Sequence, residues 1–546
     1  MLAKTSFPQK PDTHKETTQC EPEEEPICKA DTITRDQIKR ALARLKPYKA
    51  PGPDGIPNIV LIRCADVLTD RLWYIYTAMW DRNMYYDPWK EFTTVVLRKP
   101  GKPRYDTPKA YRPIALLNTM GKVLTSIVAE QLTYYTEKYA LLPPLHFGGR
   151  PARTTSDTLH YLTHRIKDSW RKKQVTSVLF LDIEGAFPNA VNEKLIVNMV
   201  RRRVPKKFVK FMENMLWGRT TKLKFDDHES GQIAIDNGIG QGDPLSMALY
   251  QYYNANLLDI PAAPNEAAAA YVDDAILVAT AGTFEETHII LEDMMTRTDG
   301  AMDWAKDHNS NFEISKLTLM DFTHRNKKLD RPSLRIGDTT IEPSTSTKYL
   351  GIYLNQHLNW KEQQASTAKK GTIWASQIRR LVRPGWGLTP KYARRLCASV
   401  AVPRIFYGID VWAPPTKWEG EGEERQRPRN RHTSNCLTSV QRPGTLAILG
   451  GLRTSPSDSL CTHANITPMH LEMEKHCRRA ALRLATLPAQ HPLTKAVRKC
   501  TKKRVKRHRS PLHHLSNAYE ADPGSYETIQ VAGRNPAQQG KEPLIC

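Results

Sequence analysis

The sequence predicts an α+β chain in which a few strands deliver carboxylates at their ends and helices supply most of the rest. Two segments are strongly β-like, Thr176–Leu181 and Ala267–Thr280, and each brings aspartates to an end or a turn. Elsewhere apolar residues recur at helical spacing, and beyond residue 355 helical patterns rich in Arg and Lys take over.

Residues 1–32 carry Pro, Thr, Lys and Glu without periodicity and read as a disordered lead-in. A helix starts at Thr34, where Thr34-x-x-Gln37 is a capping-box pattern. Ile38, Ala41, Leu42 and Leu45 follow at helical spacing as far as Pro47. Ala50-Pro51-Gly52-Pro53-Asp54-Gly55 is turn chemistry. Residues 60–82 and 119–142 are helical in pattern, with a strand at 93–97 and the basic loop Arg98-Lys99-Pro100-Gly101-Lys102 between them. The strand at 176–181 runs into Asp182 and a Gly185-Ala186-Phe187-Pro188 turn, and one basic helix follows near 193–216. Asp273-Asp274 interrupts the second β segment with apolar residues on both sides, which reads as a hairpin turn. Residues 414–435 read as an exposed charged loop, 436–494 as helical, and 495–546 as a basic, largely disordered tail.

Charge restricts the partners. The 546 residues hold a formal net charge of +23, which favours a polyanion: nucleic acid first, an anionic membrane surface second. No apolar run reaches the ~18 residues that span a bilayer. The polar first thirty residues, with Glu23-Glu24-Glu25, hold no signal-peptide core. Nine scattered cysteines fit reduced thiols. Cys461, His463, His470, His476 and Cys477 match no zinc spacing and read as helix-packing residues.

Carboxylates on strand ends point to metal chemistry. Asp182 and Asp273 could converge on a pair of divalent cations, which would activate a 3′-hydroxyl and neutralise charge building on a phosphate. An unpaired acid within an apolar run is costly, so the Asp273-Asp274 pair favours a functional site over a solvated turn.

The order of the surrounding motifs identifies the family. Tyr271-Val272-Asp273-Asp274 resembles the Y-x-D-D box of reverse transcriptases. Residues 110–118, AYRPIALLN, resemble the fingers motif. His146-Phe147-Gly148-Gly149-Arg150 with Thr154-Thr155-Ser156-Asp157 resembles F-G-x-R…T-x-D, and residues 181–187, LDIEGAF, resemble the first palm box. Residues 238–246, GIGQGDPLS, resemble Q-G-x-P-L-S; Ser315-Lys316 sits at the lysine box, and Lys348-Tyr349-Leu350-Gly351-Ile352 resembles the primer grip. Residues 49–55, with Gln441-Arg442 and residues 450–456, resemble non-LTR retrotransposons of the fungal and arthropod type.

This resemblance implies a right-hand polymerase fold: fingers, a palm with an antiparallel sheet, a helical thumb and a helical C-terminal extension. It implies fingers and palm over 33–355, a thumb over 356–413 and a post-thumb segment over 436–494. It implies an RNA-directed DNA polymerase with Asp182, Asp273, Asp274 and the Ile183 carbonyl as ligands for two Mg²⁺ ions, Mn²⁺ being a substitute. Lys316 would act as general acid, and Lys99 and Arg112 would bind the triphosphate. Phe187 would exclude a 2′-hydroxyl, and Gln241 and Gly242 would shape the nucleotide pocket. The implied partners are an RNA template, a DNA primer or target, dNTPs and a separate endonuclease, with no membrane; the implied location is the nucleus, with a cytoplasmic ribonucleoprotein beside it. The sequence departs from the family pattern at His146 (usually Gln), Gly240 (Pro), Asp243 (Ser), Met247 (Pro) and Val272 (Ala). Asp243 is expected to add negative charge near the nucleotide pocket. The competing expectation is a catalytically weak or decayed nucleic-acid-binding protein of the same fold.

Basic stretches at 201–210 and 379–395, the latter with Trp386 and Tyr392, are candidate phosphate tracks or plain solvated faces. Residues 495–509, nine of fifteen of them Lys or Arg, could bind RNA or direct nuclear import.

Overall fold

The computed structural model describes residues 2–8, 25–324, 330–383, 386–413, 431–502, 505–530 and 535–537. After a short helix α1 (Leu2–Ser6), α2 (Arg35–Ala43) begins on the predicted box: Gln37 N–H donates to the Thr34 hydroxyl, and Thr34 N–H to the Gln37 side chain. It ends at Ala43, earlier than Pro47. α3 (Asn58–Arg63) and α4 (Ala65–Asp81) follow, then β1 (Glu91–Arg98), β2 (Tyr111–Leu116), α5 (Thr119–Lys138) and α6 (Thr155–Arg171). α6 is started by a second capping box, Thr154 with Asp157.

β3 (Val175–Leu181) and the two-residue β4 (Ile183–Glu184) flank Asp182. The single basic helix expected near 193–216 is two, α7 (Asn192–Arg201) and α8 (Lys206–Leu216). Pro205 cannot continue a helix, and Arg203 adopts the left-handed φ of 59°. β5 (Arg219–Phe225) and β6 (His228–Ile235) complete a four-stranded sheet ordered β2-β1-β5-β6. β1 alternates burial as Phe92, Thr94 and Val96 turn inward, so one face of this sheet is covered.

α9 (Ser246–Tyr253) precedes the hairpin β7 (Glu266–Tyr271) and β8 (Asp274–Ala281). Next come α10 (Phe284–Thr296), α11 (Ala301–Asp307), β9 (Asn311–Phe312), β10 (Thr318–Phe322), β11 (Leu334–Ile336), β12 (Thr339–Ile341) and β13 (Pro343–Ser344). The central sheet runs β13-β10-β3-β8-β7. β3 lies in its middle with all seven residues buried, including Thr176 and Ser177, so its apolar residues do not alternate with exposed ones. β14 (Ser346–Tyr349) and β15 (Ile352–Asn355) form a separate hairpin.

The remainder is helical: α12 (Lys361–Leu381), α13 (Pro390–Leu396), α14 (Val402–Ile405), α15 (Ile409–Trp412), α16 (Arg431–Leu449), α17 (Ser457–Ala464), α18 (Met469–Ala485), α19 (Thr494–Lys502) and α20 (Pro511–Tyr519). The chain thus has the expected α+β architecture with a helical extension.

Three expected boundaries are corrected. Residues 25–32 are not loose: Ile27, Cys28 and Ala30 pack on the main core, and Trp80 donates its indole N–H to the Asp31 carbonyl at 3.0 Å. Of the expected loop at 414–435, residues 414–430 lie outside the described residues, and 431–435 open α16. The tail is not largely disordered either. α19 buries Val497 and Cys500, α20 buries Leu512 and Leu515, and both join a second core with Phe147, Leu159, Leu162 and Trp170 behind the central sheet. The basic residues had hidden this amphipathic spacing. No described helix is long and apolar enough to cross a membrane.

Candidate active site

The three aspartates lie at one end of the central sheet. β3 pairs antiparallel with β8, Leu181 opposite Ala275, so Asp182 leaves β3 beside the start of β8. Asp182 is anchored by its own backbone, whose carbonyl accepts from Glu313 N–H at 3.0 Å. Asp273 and Asp274 are exposed at the hairpin tip, and Asp182 is 43 % exposed, so all three face an open cleft. Burial by the cleft walls pushes Asp274 up to about 6, with repulsion from Asp273 and Asp182 adding to it. Asp273 is raised too, by burial and then by Asp182. Two carboxyls raised by burial and by neighbouring acids, with Asp182 beside them, make a site that positive charge would stabilise.

The hairpin tip is held from below. Tyr271 faces Asp274 across the turn, and Val272 takes a left-handed φ of 62°, which a β-branched residue strongly resists. The Asn254 amide donates to the Val272 carbonyl at 2.6 Å, and His146 Nε2 pairs with Asn254 Oδ1 at 2.8 Å. Burial pushes His146 down to about 3, so it stays neutral and suited to that pairing. Gly148 lies directly under the turn, where a Cβ would come within 2.5 Å of Val272 Cγ2 and of its backbone nitrogen. Phe147 N–H donates to the Ala270 carbonyl at 2.8 Å. The F-G-x-R segment is therefore the floor of the hairpin, locked by a buried bidentate pair between Arg150 and Glu137.

Cations line the other side. Lys316 Nζ lies 2.9 Å from Asp182 Oδ2 and also pairs with Glu313. Burial alone would lower Lys316, but the Glu313 and Asp182 carboxylates outweigh it and hold the ammonium above its usual range. Lys109 bridges Glu184, at 2.7 Å, and Glu313, at 3.6 Å, and so ties the β2 side to the palm. Lys99 is lowered, by burial first and then by Arg112, Lys102 and Lys316, so these four cations share one region with Asp182. Arg112 is exposed on β2 opposite Leu97.

Phe187 and Gln241 are each fixed by packing or by a backbone bond. The Phe187 ring stacks on Tyr250 at 4.6 Å, and its carbonyl accepts from Ile239 N–H. Gln241 accepts from Ala115 N–H at 2.7 Å, which pins its loop to β2. Gly242 has φ 129°, and a Cβ there would sit 2.4 Å from the Ala115 carbonyl oxygen, so glycine is required. Gly240 meets only Ala115 Cβ, at 3.9 Å, so nothing demands glycine in place of proline.

Asp243 departs from its expected role. Its carboxylate accepts from Leu245 N–H at 2.9 Å at the start of α9, and its charged neighbours are Lys122 and Arg219, not the metal-type acids. Burial pushes it up, while those bonds and cations pull it down. It is a helix-start residue with its own counter-charges. Glu184, Glu313, Lys109 and Asn254 carry no motif signal of such a role in the sequence alone, and neither does Gln251, whose amide donates to the Gly148 carbonyl at 2.5 Å beneath the hairpin. Glu313 stands three residues before Lys316 and Glu184 two after Asp182, so proximity could have flagged them; Asn254 carries no motif.

The 201–210 stretch is largely engaged within the fold. Arg202 bonds Asn256 and Asp259, Arg203 bonds the Glu25 carbonyl, and Lys207 pairs with Asp81.

A family model described as reverse transcriptase (RNA-dependent DNA polymerase) matches residues 97–354. The chain is similar to the probable RNA-directed DNA polymerase from transposon BS of Drosophila melanogaster, 25 % identical over 70 % of this chain and 42 % of that protein. It is equally similar to the RNA-directed DNA polymerase from mobile element jockey of Drosophila funebris, with 25 % identity over the same shares. The chain therefore spans less than half the length of these relatives. An apo telomerase structure from Candida tropicalis overlaps 49 % of this chain and 54 % of its own at 10 % identity, with a TM-score of 0.34. With its motifs in family order and its acids gathered at one sheet end, the segment 97–354 belongs to the reverse transcriptase family, in its non-LTR retrotransposon branch.

Proposed function

We propose that this chain is an RNA-directed DNA polymerase that adds deoxynucleotides to the 3′-hydroxyl of a DNA primer, as the polymerase portion of a non-LTR retroelement. The observation that carries the reading is the grouping of Asp182, Asp273 and Asp274 with Lys99, Arg112 and Lys316. Members of this family act on nucleic-acid templates and primers and use divalent metal ions.

The donor set fits such ions. Asp182, Asp273, Asp274 and the Ile183 carbonyl offer only hard oxygens, and the raised acids lose their mutual repulsion when a cation joins them. We assign Mg²⁺, with Mn²⁺ as a substitute; when bound, it makes the primer hydroxyl easier to deprotonate and offsets phosphate charge. Lys99 and Arg112 hold the triphosphate of the incoming dNTP. Lys316 stays protonated in the free protein, so it has a proton to give the departing pyrophosphate. The Phe187 ring, fixed against Tyr250, lies under the sugar and excludes a 2′-hydroxyl. Gln241 and Gly242 shape the pocket from a loop pinned to β2.

Template and primer follow the positive surface beyond the palm. Trp386 and Tyr392 expose 65 % and 54 % of their surfaces beside Arg379, Arg380 and Lys391, which supports a track with aromatic platforms there. The primer end comes from a separate endonuclease activity. We also propose action in the nucleus, carried as a ribonucleoprotein, since α19 presents Lys495, Arg498 and Lys499 outward while only its apolar side is buried.

Primer extension with Mg²⁺ on RNA and DNA templates side by side tests the reading. Incorporation of dNTPs on RNA, lost in Asp273→Asn, is the expected result. Pure folded protein that incorporates no more than that variant would refute it.

A further inference from the structure

We propose that His164, Cys500 and His513 form a second metal site, for a zinc-class ion, that staples the C-terminal segment to the palm. The site is separate from the aspartates and does not depend on the polymerase reading. Its ligands come from three helices. His164 lies on α6, which packs against the central sheet; Cys500 is on α19 and His513 on α20. One nitrogen of each imidazole and the Cys500 sulfur all lie within 4.8 Å of one another. Among the described residues this is the one such group of histidine, cysteine or acid ligands.

The surroundings suit a closed structural site. Cys500 and His513 are 1 % and 3 % exposed, and His164 is half-buried. The two rings stack at 5.6 Å and 15°, which aligns them before any ion arrives. His164 Nδ1 lies 3.0 Å from Ser510 Oγ, the kind of outer partner that orients a ligating imidazole. His513 Nδ1 lies 2.8 Å from the same oxygen and 3.2 Å from Ser510 N. Binding through His513 Nε2 leaves Nδ1–H to donate to Ser510 Oγ and gives up only the longer bond, from Ser510 N–H.

Chemistry selects the ion. One thiol and two imidazoles are soft to borderline donors, which favour Zn²⁺ or Co²⁺ over Mg²⁺. Zinc bonds of about 2.0–2.3 Å put tetrahedral ligand atoms roughly 3.3–3.7 Å apart, so the group closes by about 1 Å. Binding exchanges the Cys500 S–H proton for a sulfur–metal bond and releases one proton to solvent. The fourth position goes to water or to Asp168, one turn along α6 on the face of His164. Asp168 now accepts from Arg171, whose charge it offsets beside the site. Cys477 and His476 take the packing roles expected of them. Cys477 donates weakly to the Ala413 carbonyl, and His476 stacks on Phe406 at 5.3 Å, both packing roles.

The test uses the full chain, purified with thiols reduced and dialysed against metal-free buffer. Zinc is measured by mass spectrometry and then removed with a chelator, and Co²⁺ is titrated into the metal-free chain while thiolate charge-transfer and tetrahedral ligand-field bands are followed. Near-stoichiometric zinc is expected, with a Co²⁺ spectrum that Cys500→Ser abolishes, His513→Asn weakens and Cys64→Ser leaves intact. A chelator should lower the thermal midpoint of the unmodified chain and leave that of Cys500→Ser unchanged. Folded, unmodified protein without a thiolate–Co²⁺ band overturns the proposal, whatever the variants do. So does a band that survives in Cys500→Ser.

Discussion

Asp274 is the side chain whose surroundings most constrain its chemistry. Its carboxyl is raised from 3.8 to about 6, so the metal-free fold binds its proton more tightly than the unfolded chain does. A group raised on folding contributes stability below its unfolded value and loses it as pH climbs through the folded one. Metal-free protein should therefore lose stability as pH rises from about 4 to about 6. Asp274→Asn should flatten that slope and raise the metal-free stability above pH 6, by no more than roughly 1 kcal/mol because the carboxylate is exposed, and the thermal midpoint with it. Thermal melts across that range, with Mg²⁺ withheld, check this; a variant less stable than the parent at pH 8 would show that the acids do not repel. Phe187 makes the second prediction at this level. Phe187→Ala should raise ribonucleotide incorporation relative to dNTPs while the Tyr250 shelf remains. Equal discrimination in parent and variant would remove the assignment.

The β7–β8 hairpin shows how an element can carry strain that its neighbours hold in place. A left-handed valine costs about 1–3 kcal/mol, and here Asn254, His146 and Gly148 hold it from beneath. Asn254→Ala removes the bond to the Val272 carbonyl and orphans His146, at a cost of roughly 1–3 kcal/mol. A displacement of about 1 Å at a reacting group costs on the order of 100-fold in rate. Primer extension by Asn254→Ala should thus fall far more than its stability does; a variant with unchanged rate would mean the turn is held by the sheet alone. The hairpin and its acids were legible in the sequence, because two carboxylates inside an apolar run are costly unless a cation or ligand meets them. Its floor was not, since Asn254 and His146 meet across more than a hundred residues and follow no periodicity. The helix at 193–216 was misread for a smaller reason, the weight given to its charge over Pro205.

The whole chain closes on itself through the second core. Asp157, fully buried, starts α6 and binds Arg483 of α18 in a bidentate pair, and His160 binds Asp410 at 2.8 Å. The T-x-D motif is thus also the anchor of the C-terminal helices. Arg483→Ala leaves Asp157 buried without its partner and should cost toward the lower end of roughly 3–5 kcal/mol, since the arginine keeps 28 % exposure. Urea melts of the full chain measure it; a change under ~1 kcal/mol would make the anchor unimportant. Residues 495–519 were read as loose because their charge count hides the apolar positions, whereas the palm was legible because its motifs are short and local. The claim on which everything rests is that Asp182, Asp273 and Asp274 form one metal-dependent polymerase centre. Single-nucleotide incorporation on a primed RNA template, titrated with Mg²⁺, tests it in the parent and in each Asp→Asn variant. Saturable Mg²⁺ dependence in the parent and loss of incorporation in all three variants is the predicted result. Incorporation at the parental rate by any one of them would contradict it.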